Sequence, residues 1–476
     1  MTSWKGQTIA QVREMYPAYD EILIERALSS ALLRFDRTVV VLDDDPTGTQ
    51  TVSNVPVVTS WERSLLQEEL ERKPRMLFIL TNSRALTAAQ SRVLHEELAE
   101  NLVEAAAACG RKILLVSRSD STLRGHYPLE TETLRQVMER HGQPVDGEIL
   151  CPFFQEGGRY TVENIHYLEE NGVLKPVGES EFAADKTFGY HSSHLGQWIE
   201  EKTDGACPAE TVHYVTLTEL RTGKDGEITK MLSQAAGFEK IVVNAISYED
   251  VERFVPELLQ AVEAGKTFLL RTASSILRVL AGCTGGVLTR QELIDTENQN
   301  GGVVIVGSHV KKTTRQLEKL LAESRIIPLE FNQHLVLDAQ AFKCEIQRVS
   351  NAVDEAISQG KSVAVYTRRE RLDLNAERKE DELQLATKIS EGLVQIIANL
   401  KIRPNFIIAK GGITSSDVAT RGLSLHRATV MGQILPGIPV WLAGKDSKFP
   451  GMPYVIFPGN VGGDESLLDA VQKLTP

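Results

Sequence analysis

Short runs of apolar, often β-branched residues recur along this chain, and each ends in a polar cluster. In the first third, Val39 to Leu42, Val55 to Thr59, Met76 to Leu80 and Lys112 to Val116 read as strands. Between and around them, Asp20 to Leu33, Ala88 to Cys109 and Pro128 to Arg140 carry the periodicity and composition of helices. Strands with no polar face are buried on both sides, as in parallel sheets. Their alternation with helices predicts a parallel α/β layer structure. Ile149 to Ala184 is less regular, and strand patterns return at Thr211 to Thr216, Lys240 to Asn244 and Lys266 to Leu270. Gly282 to Gly302 is rich in Gly, Thr, Asn and Gln around one polar, helix-like insertion, and marks a domain boundary. A second series follows, with strands at Val303 to Val306, Ser362 to Tyr366, Phe406 to Ala409, Ile438 to Leu442 and Tyr454 to Phe457, and a helix at Thr313 to Glu323. The expectation is two α/β domains, residues 1–290 (with a helical extension over 1–36) and 300–476. Each is expected to hold a largely parallel sheet flanked by helices.

The polar clusters carry the candidate chemistry. Val39 to Leu42 runs into Asp43, Asp44 and Asp45, then Pro46, Thr47 and Gly48. Pro46 must end the strand, because it has no N–H for the ladder. Ligands bind at the carboxyl ends of strands in parallel α/β sheets. Three carboxylates crowded there need a cation, a basic side chain or a substrate hydroxyl to meet them. One of Asp43, Asp44 and Asp45 could accept a proton from a hydroxyl, as kinases use an aspartate base, and another could orient a hydroxyl. Met76 to Leu80 ends in Ser83-Arg84, and Lys112 to Val116 in a stretch holding Asp120, Ser121 and Arg124. Two arginines at one sheet edge suit a carboxylate held through paired N–H groups. The competing reading is that Arg84 and Arg124 pair with the aspartates and only stabilise loops. Arg159, after Gly157-Gly158, is a further candidate for the same site.

The second half offers turns rather than charges. Val303 to Val306 leads into Gly307-Ser308-His309 and a helix. Phe406 to Ala409 leads into Gly411, Gly412, Ile413 and Thr414, and Tyr454 to Phe457 into Gly459-Asn460. Strand–turn–helix junctions leave backbone N–H groups free to hold a phosphate. None of these is a P-loop, and no GxGxxG follows a strand, which argues against a dehydrogenase.

Composition narrows the field. Lys plus Arg is 52 and Asp plus Glu 64, a net charge of −12. That balance argues against a general nucleic-acid or anionic-membrane binder. No apolar run reaches the length of a membrane span, and the first residues lack the apolar core of a signal peptide, so a cytoplasmic protein is expected. The five cysteines are scattered, form no CxxC pair and point to reduced thiols. His191 and His194 have metal-like spacing without evident partners, and read as ordinary loop residues. Arg368 to Glu382 reads as a solvated loop and helix face.

The ordered set of motifs resembles the four-carbon acid sugar kinase family, long a family of unknown function. Asp44-Asp45-Pro46-Thr47-Gly48-Thr49 stands where the family has DDLTGA, and Asp120 to Gly125 is its DSTLRG intact. Cys151 to Arg159, CPFFQEGGR, is similar to its PAFPEAGR segment. Gly307-Ser308, Gly411 to Thr414, Pro436 to Pro439 and Gly459-Asn460 match its C-terminal turns. The resemblance implies an N-terminal sugar-acid-binding domain and a C-terminal nucleotide-binding domain, with the active site in the cleft between them. It implies ATP-dependent phosphorylation of threonate, erythronate, 3-oxo-tetronates or related acids, with Mg2+-ATP. Ser308, Gly411, Gly412, Ile413, Thr414 and Gly459 should contact ATP. Asp44, Arg84, Asp120 and Arg124, joined by Ser83, Ser121 and Arg159, should frame the acid. Asp44 or Asp45 is the expected base; the metal ligands are open. The partners expected are small molecules, without nucleic acid or membrane, and a homodimer is one option for assembly.

This chain departs from the pattern at several points. Pro46 and Thr49-Gln50 replace an aliphatic and a small residue, Ile413 stands where many relatives have Glu, and Phe457-Pro458 replaces Lys-Ser. Alternatives are a kinase of another short or branched oxo-sugar acid, or a non-catalytic regulator that binds nucleotide and sugar acid.

Overall fold

The computed structural model describes residues 4–283, 286–323, 325–370, 372, 379–459 and 461–475. Asn460 and most of the stretch 371–378 therefore lie outside the described residues. The strands in chain order are β1 (Thr38–Asp43), β2 (Val55–Val58), β3 (Met76–Leu80), β4 (Ile113–Arg118), β5 (Gly147–Cys151), β6 (Arg159–Val162), β7 (Ile165–Glu170), β8 (Val173–Pro176) and β9 (His213–Val215). They continue as β10 (Glu239–Val243), β11 (Phe268–Thr272), β12 (Val303–Val306), β13 (Ile326–Phe331), β14 (Ser362–Thr367), β15 (Ile407–Lys410), β16 (Arg427–Leu435), β17 (Ile438–Ala443) and β18 (Pro453–Phe457). The chain divides into two compact units, Met1–Val52 with Ser60–Thr284, and Ser53–Thr59 with Gly285–Pro476.

In the first unit the strands run in the order β3-β1-β4-β11-β5-β10-β9, and every pairing is parallel. All six residues of β1 and all five of β3 are buried, which is why their sequences show no alternation. The expected helices form at Glu21–Arg34, Ala88–Ala108 and Leu129–Arg140. The first two start at side-chain caps, Asp20 to the Leu23 N–H and Thr87 to the Gln90 N–H. The irregular segment after residue 149 holds a small antiparallel sheet, β6-β7-β8. Its inner face joins a cluster with Leu123, Tyr127, Leu168, Val177, Tyr190 and Trp198.

The second unit has the order β13-β14-β12-β15-β18-β17-β16-β2. The first five are parallel, and the last three add antiparallel. Its core packs Val304, Val306, Ile408, Val455 and Phe457 against Leu317, Leu320, Leu467 and Val471 of the helices Lys311–Leu321 and Ser466–Leu474. Both units are thus mixed α/β with largely parallel sheets, as the alternation predicts. Beyond the predicted strands, the sheets include β5, β13 and β16. In β16 a bulge at Val430/Gly432 breaks the period that would have marked it. Among the described residues, no helix is long and apolar enough to cross a membrane.

Candidate functional site

Because β3, β1 and β4 are adjacent and parallel, their polar carboxyl ends meet at one edge of the first sheet. Arg84 grips Asp44 with two bonds, Nε to Oδ2 at 3.0 Å and Nη2 to Oδ1 at 2.6 Å. Arg118, the last residue of β4, donates from Nη1 to Asp43 Oδ1 at 2.9 Å and lies 3.4 Å from Asp44 Oδ1. Asp45 also faces Arg84, its Oδ2 lying 3.6 Å from Arg84 Nη1. Its Oδ1 accepts from the N–H and hydroxyl of Thr47 at 2.9 and 2.6 Å, which caps the 3-10 turn Pro46–Thr51. Gly48 passes directly over Asp43, since a Cβ there would stand 2.2 Å from Oδ2.

The three carboxylates differ in proton affinity. Burial pushes Asp43 up to about 7, with Arg118 pulling the other way. Burial also raises Asp44, outweighing Arg84 and Arg118. Burial works against ionisation of Asp45 too, but Arg84, Arg118 and the Thr47 bonds outweigh it and hold that carboxyl below its ordinary range.

Asp120 forms a second knot. Its Oδ2 accepts from the Thr122 hydroxyl and from Arg124 Nε, the latter at 2.6 Å. Burial opposes its ionisation, yet the charges of Arg84 and Arg124 and these bonds keep it well below the usual carboxylate range. Arg124 also approaches Asp185, Nη1 to Oδ2 at 3.7 Å, and lies over the Phe182 ring at 4.8 Å. Arg159 faces the same ring at 5.9 Å. Its Nε is buried without a hydrogen-bond partner among the described residues, and burial together with the nearby Arg124 lowers its proton affinity. His166 backs this knot. Its Nε2 lies 2.8 Å from the Ser121 carbonyl, which can only accept, so Nδ1 accepts from the Thr161 hydroxyl at 2.9 Å. Burial holds this imidazole neutral, with its pKa down at about 4.

The structure therefore brings Asp44, Asp45, Arg84, Asp120, Arg124 and Arg159 into one charged group. Arg84 and Arg124 are already paired with Asp44 and Asp120, which is the competing reading of the sequence. Ser121 is buried beside them. Ser83 is buried and points elsewhere, its hydroxyl donating to Glu130 Oε1 at 2.6 Å. Glu130 in turn accepts from Arg271 at 2.7 Å. Arg118 and Arg271 are the cations that sequence reasoning missed. Arg118 is the last residue of β4 and Arg271 the next to last of β11, strands that the sequence reading ended two residues early, and a charge just past that end was the available signal.

In the second unit, β12, β15 and β18 are adjacent and parallel, so their turns also share one edge. A Cβ on Gly307 would stand 2.7 Å from Thr414 Oγ1, and one on Gly411 would stand 3.5 Å from Ser308 Cβ. Gly411 has φ +116°, which a larger residue rarely adopts. Its N–H donates to the Phe457 carbonyl at 2.9 Å. Gly412 and Thr414 lie in the short helix Gly412–Asp417, and the Ile413 side chain is exposed. Gly459 completes the set through Lys410, whose Nζ donates to the Pro458 and Gly459 carbonyls at 2.6 and 3.3 Å.

Lys410 was not singled out from sequence. It is fully buried, lies 4.0 Å from the Phe457 ring centre, and is the cross-strand partner of Phe457. Burial, helped by the nearby Lys312, pushes its pKa down to about 7. A basic group at the end of an otherwise apolar strand was again the signal.

Residues 39–280 match the family described as a sugar-binding N-terminal domain, and residues 303–467 match the one described as a nucleotide-binding C-terminal domain. Solved structures share the fold. A Haemophilus influenzae protein of the family DUF1537 is 16% identical, with a TM-score of 0.60, over 92% of this chain and 100% of that one. A Salmonella typhimurium LT2 protein, provisionally described as a tRNA synthase, is 15% identical, with a TM-score of 0.63, over 92% of this chain and 99% of that one. No curated protein matches the chain.

Proposed function

Because this chain belongs to the four-carbon acid sugar kinase family, we propose that it transfers the terminal phosphoryl group of ATP to a hydroxyl of a short sugar acid. One observation carries the reading. Three glycine-bearing turns share one edge at the ends of β12, β15 and β18, beside a buried lysine whose Nζ donates to two backbone carbonyls and has no carboxylate partner among the described residues. Such an arrangement seeks an anion, and the phosphates of a nucleotide supply one. Ser308, Gly411, Gly412, Thr414 and Gly459 form the rim of that site. Mg2+ would come with the phosphate chain, held by its oxygens, by water and by few protein ligands. It would neutralise charge on the phosphoryl group being transferred.

The acid is assigned to the charged group of the first unit. Arg159 is the anchor for its carboxylate, because Arg84 and Arg124 are already paired. Arg124 and Arg84 orient the hydroxyls through Asp120 and Asp44. Asp44 is the base: burial raises its proton affinity, whereas Asp45 is occupied as a turn cap. The hydroxyl proton passes to Asp44 as the hydroxyl oxygen bonds to phosphorus and ADP leaves. Asp43 is buried beneath Gly48 and takes no part. Fixing the acid at one end aims its far hydroxyl, and this positioning supplies much of the rate.

Two measurements test the parts. Arg159→Ala is expected to raise the KM for the acid by about ten- to a hundredfold, as for loss of a charge-assisted bond, and to leave the KM for ATP unchanged. Equal changes in both would remove Arg159 from the site. The Lys410 ammonium is discouraged by burial, and added phosphates favour it. ATP binding near pH 7.5 should therefore take up a proton, and affinity should fall as pH rises past about 7. Calorimetry in two buffers of different ionisation enthalpy reads that proton directly, and identical heats would refute the linkage. In the absence of ligand the sign differs. The penalty for a charged Lys410 is fully present below pH 7 and is relieved between 7 and the ordinary lysine range, so folding stability rises there.

The whole reading is tested by ADP release with Mg-ATP across four-carbon sugar acids and their 3-oxo forms. Turnover on one member names the substrate. Nucleotide binding without turnover on any sugar acid would favour the regulator.

A further inference from the structure

Arg368 to Glu382 reads from sequence as a solvated stretch, yet Arg369 is half-buried and engaged. It follows β14, the strand next to β12. Its Nη2 donates to the Ser308 carbonyl at 2.8 Å and to Thr314 Oγ1 at 2.7 Å, using both N–H groups of that nitrogen. Nε and Nη1 are buried, and among the described residues neither has a hydrogen-bond partner. Three N–H groups of an always-charged guanidinium are therefore left without an acceptor. Among the described residues no carboxylate lies within ion-pair distance; Glu318, one turn beyond Thr314, is the only acidic group acting on it. Leaving such a charge buried and unmatched is costly unless something completes it.

Its neighbours sharpen what that something is. Ser308, which Arg369 holds, abuts Gly411. His309 Nε2 donates to the Arg368 carbonyl at 3.0 Å, stitching the two segments together. Lys410 and Lys312 add positive charge to the same sheet edge. In a chain of net charge −12 this edge concentrates cations. A nucleobase or ribose offers no negative charge to match them, whereas a phosphate offers several strong acceptor oxygens in a geometry that arginine fits.

We propose that Arg369 is a phosphate-binding residue of the nucleotide site, contacting the phosphate chain and fixing the Ser308 turn against it. The inference rests on the nucleotide reading of the second unit. The test is calorimetric titration of the intact wild type, Arg369→Ala and Arg369→Lys with ATP, ADP, AMP and adenosine. Inorganic tripolyphosphate serves as competitor on the wild type. The expected result is a loss of about ten- to a hundredfold in ATP affinity for Arg369→Ala, with adenosine binding unchanged. Arg369→Lys should recover part of the loss, and tripolyphosphate should displace ATP. ATP binding of both variants equal to the wild type would overturn the inference and leave the nucleotide site standing. An equal loss for adenosine and ATP would mark a structural role and overturn it too. Absence of any nucleotide binding by the wild type would bring down the reading beneath it. Should Arg369→Ala not fold, Arg369→Lys against the wild type still decides between ATP-selective and uniform effects.

Discussion

Asp44→Asn is expected to lower kcat by about 10²- to 10⁴-fold, the usual range for loss of a general base, with little change in the KM for ATP. Asparagine keeps the shape and one oxygen that accepts from Arg84, but it gives up the second of the bonds that Arg84 makes to the two carboxylate oxygens at 3.0 and 2.6 Å. The charge and the ability to take a proton disappear with it. The informative partner is Asp45→Asn. Asn caps a turn about as well as Asp, so the bonds from Thr47 to Asp45 Oδ1 survive. That variant should lose far less activity. Steady-state kinetics on the two variants would reveal the order. If Asp45→Asn were the more damaged, the base would be Asp45, and the raised proton affinity of Asp44 would be a by-product of its burial.

Gly48→Ala should destabilise the first unit by about 1–3 kcal/mol, the cost of overpacking a filled interior. A Cβ at that position meets all three carboxylate atoms of Asp43 at 2.2 to 2.5 Å. Asp43 cannot swing aside freely, because Arg118 holds it at 2.9 Å and both are buried. The cause is separable by a double-mutant cycle in urea. Asp43→Ala removes the obstructing carboxylate, so the pair Asp43→Ala with Gly48→Ala should be no less stable than Asp43→Ala alone. Additive losses would mean that the glycine is needed for the backbone of the turn and not for the close approach.

Much of this arrangement is legible in the sequence because it is local. Asp44, Arg84 and Asp120 each lie in the polar cluster just past the end of an apolar run, and adjacent parallel strands bring such ends together without further information. The same holds for Ser308 and Gly411. What was illegible depends on pairing at a distance. Arg84 and Arg124 carry identical chemistry whether they face a ligand or Asp44 and Asp120, and only coordinates tell which. Lys410 stands opposite Phe457 on the next strand, a relation that no spacing along the chain encodes. Arg369 was misread for a related reason: charges in a run look solvated until one is found beneath a turn. The sheet β6-β7-β8 escaped because its strands are short and separated by tight turns at Glu163-Asn164 and Asn171-Gly172, so no period has room to develop.

The placement of β2 limits how the protein can be divided. Val55–Val58 precedes most of the first unit in the chain, yet it pairs antiparallel with β16, from Arg427 opposite Val58 to Val430 opposite Val55. A fragment beginning near residue 300 would keep every nucleotide-site turn but lose this strand. The β16 backbone from Arg427 to Val430 would then be an open edge, a template for self-association. Exchanging nucleotide units between relatives, or expressing this one alone, would have to carry residues 53–59 along, for instance as a strand fused after the C-terminus. The two halves are interleaved in the chain, so they cannot be inherited or engineered as simple beads on a string.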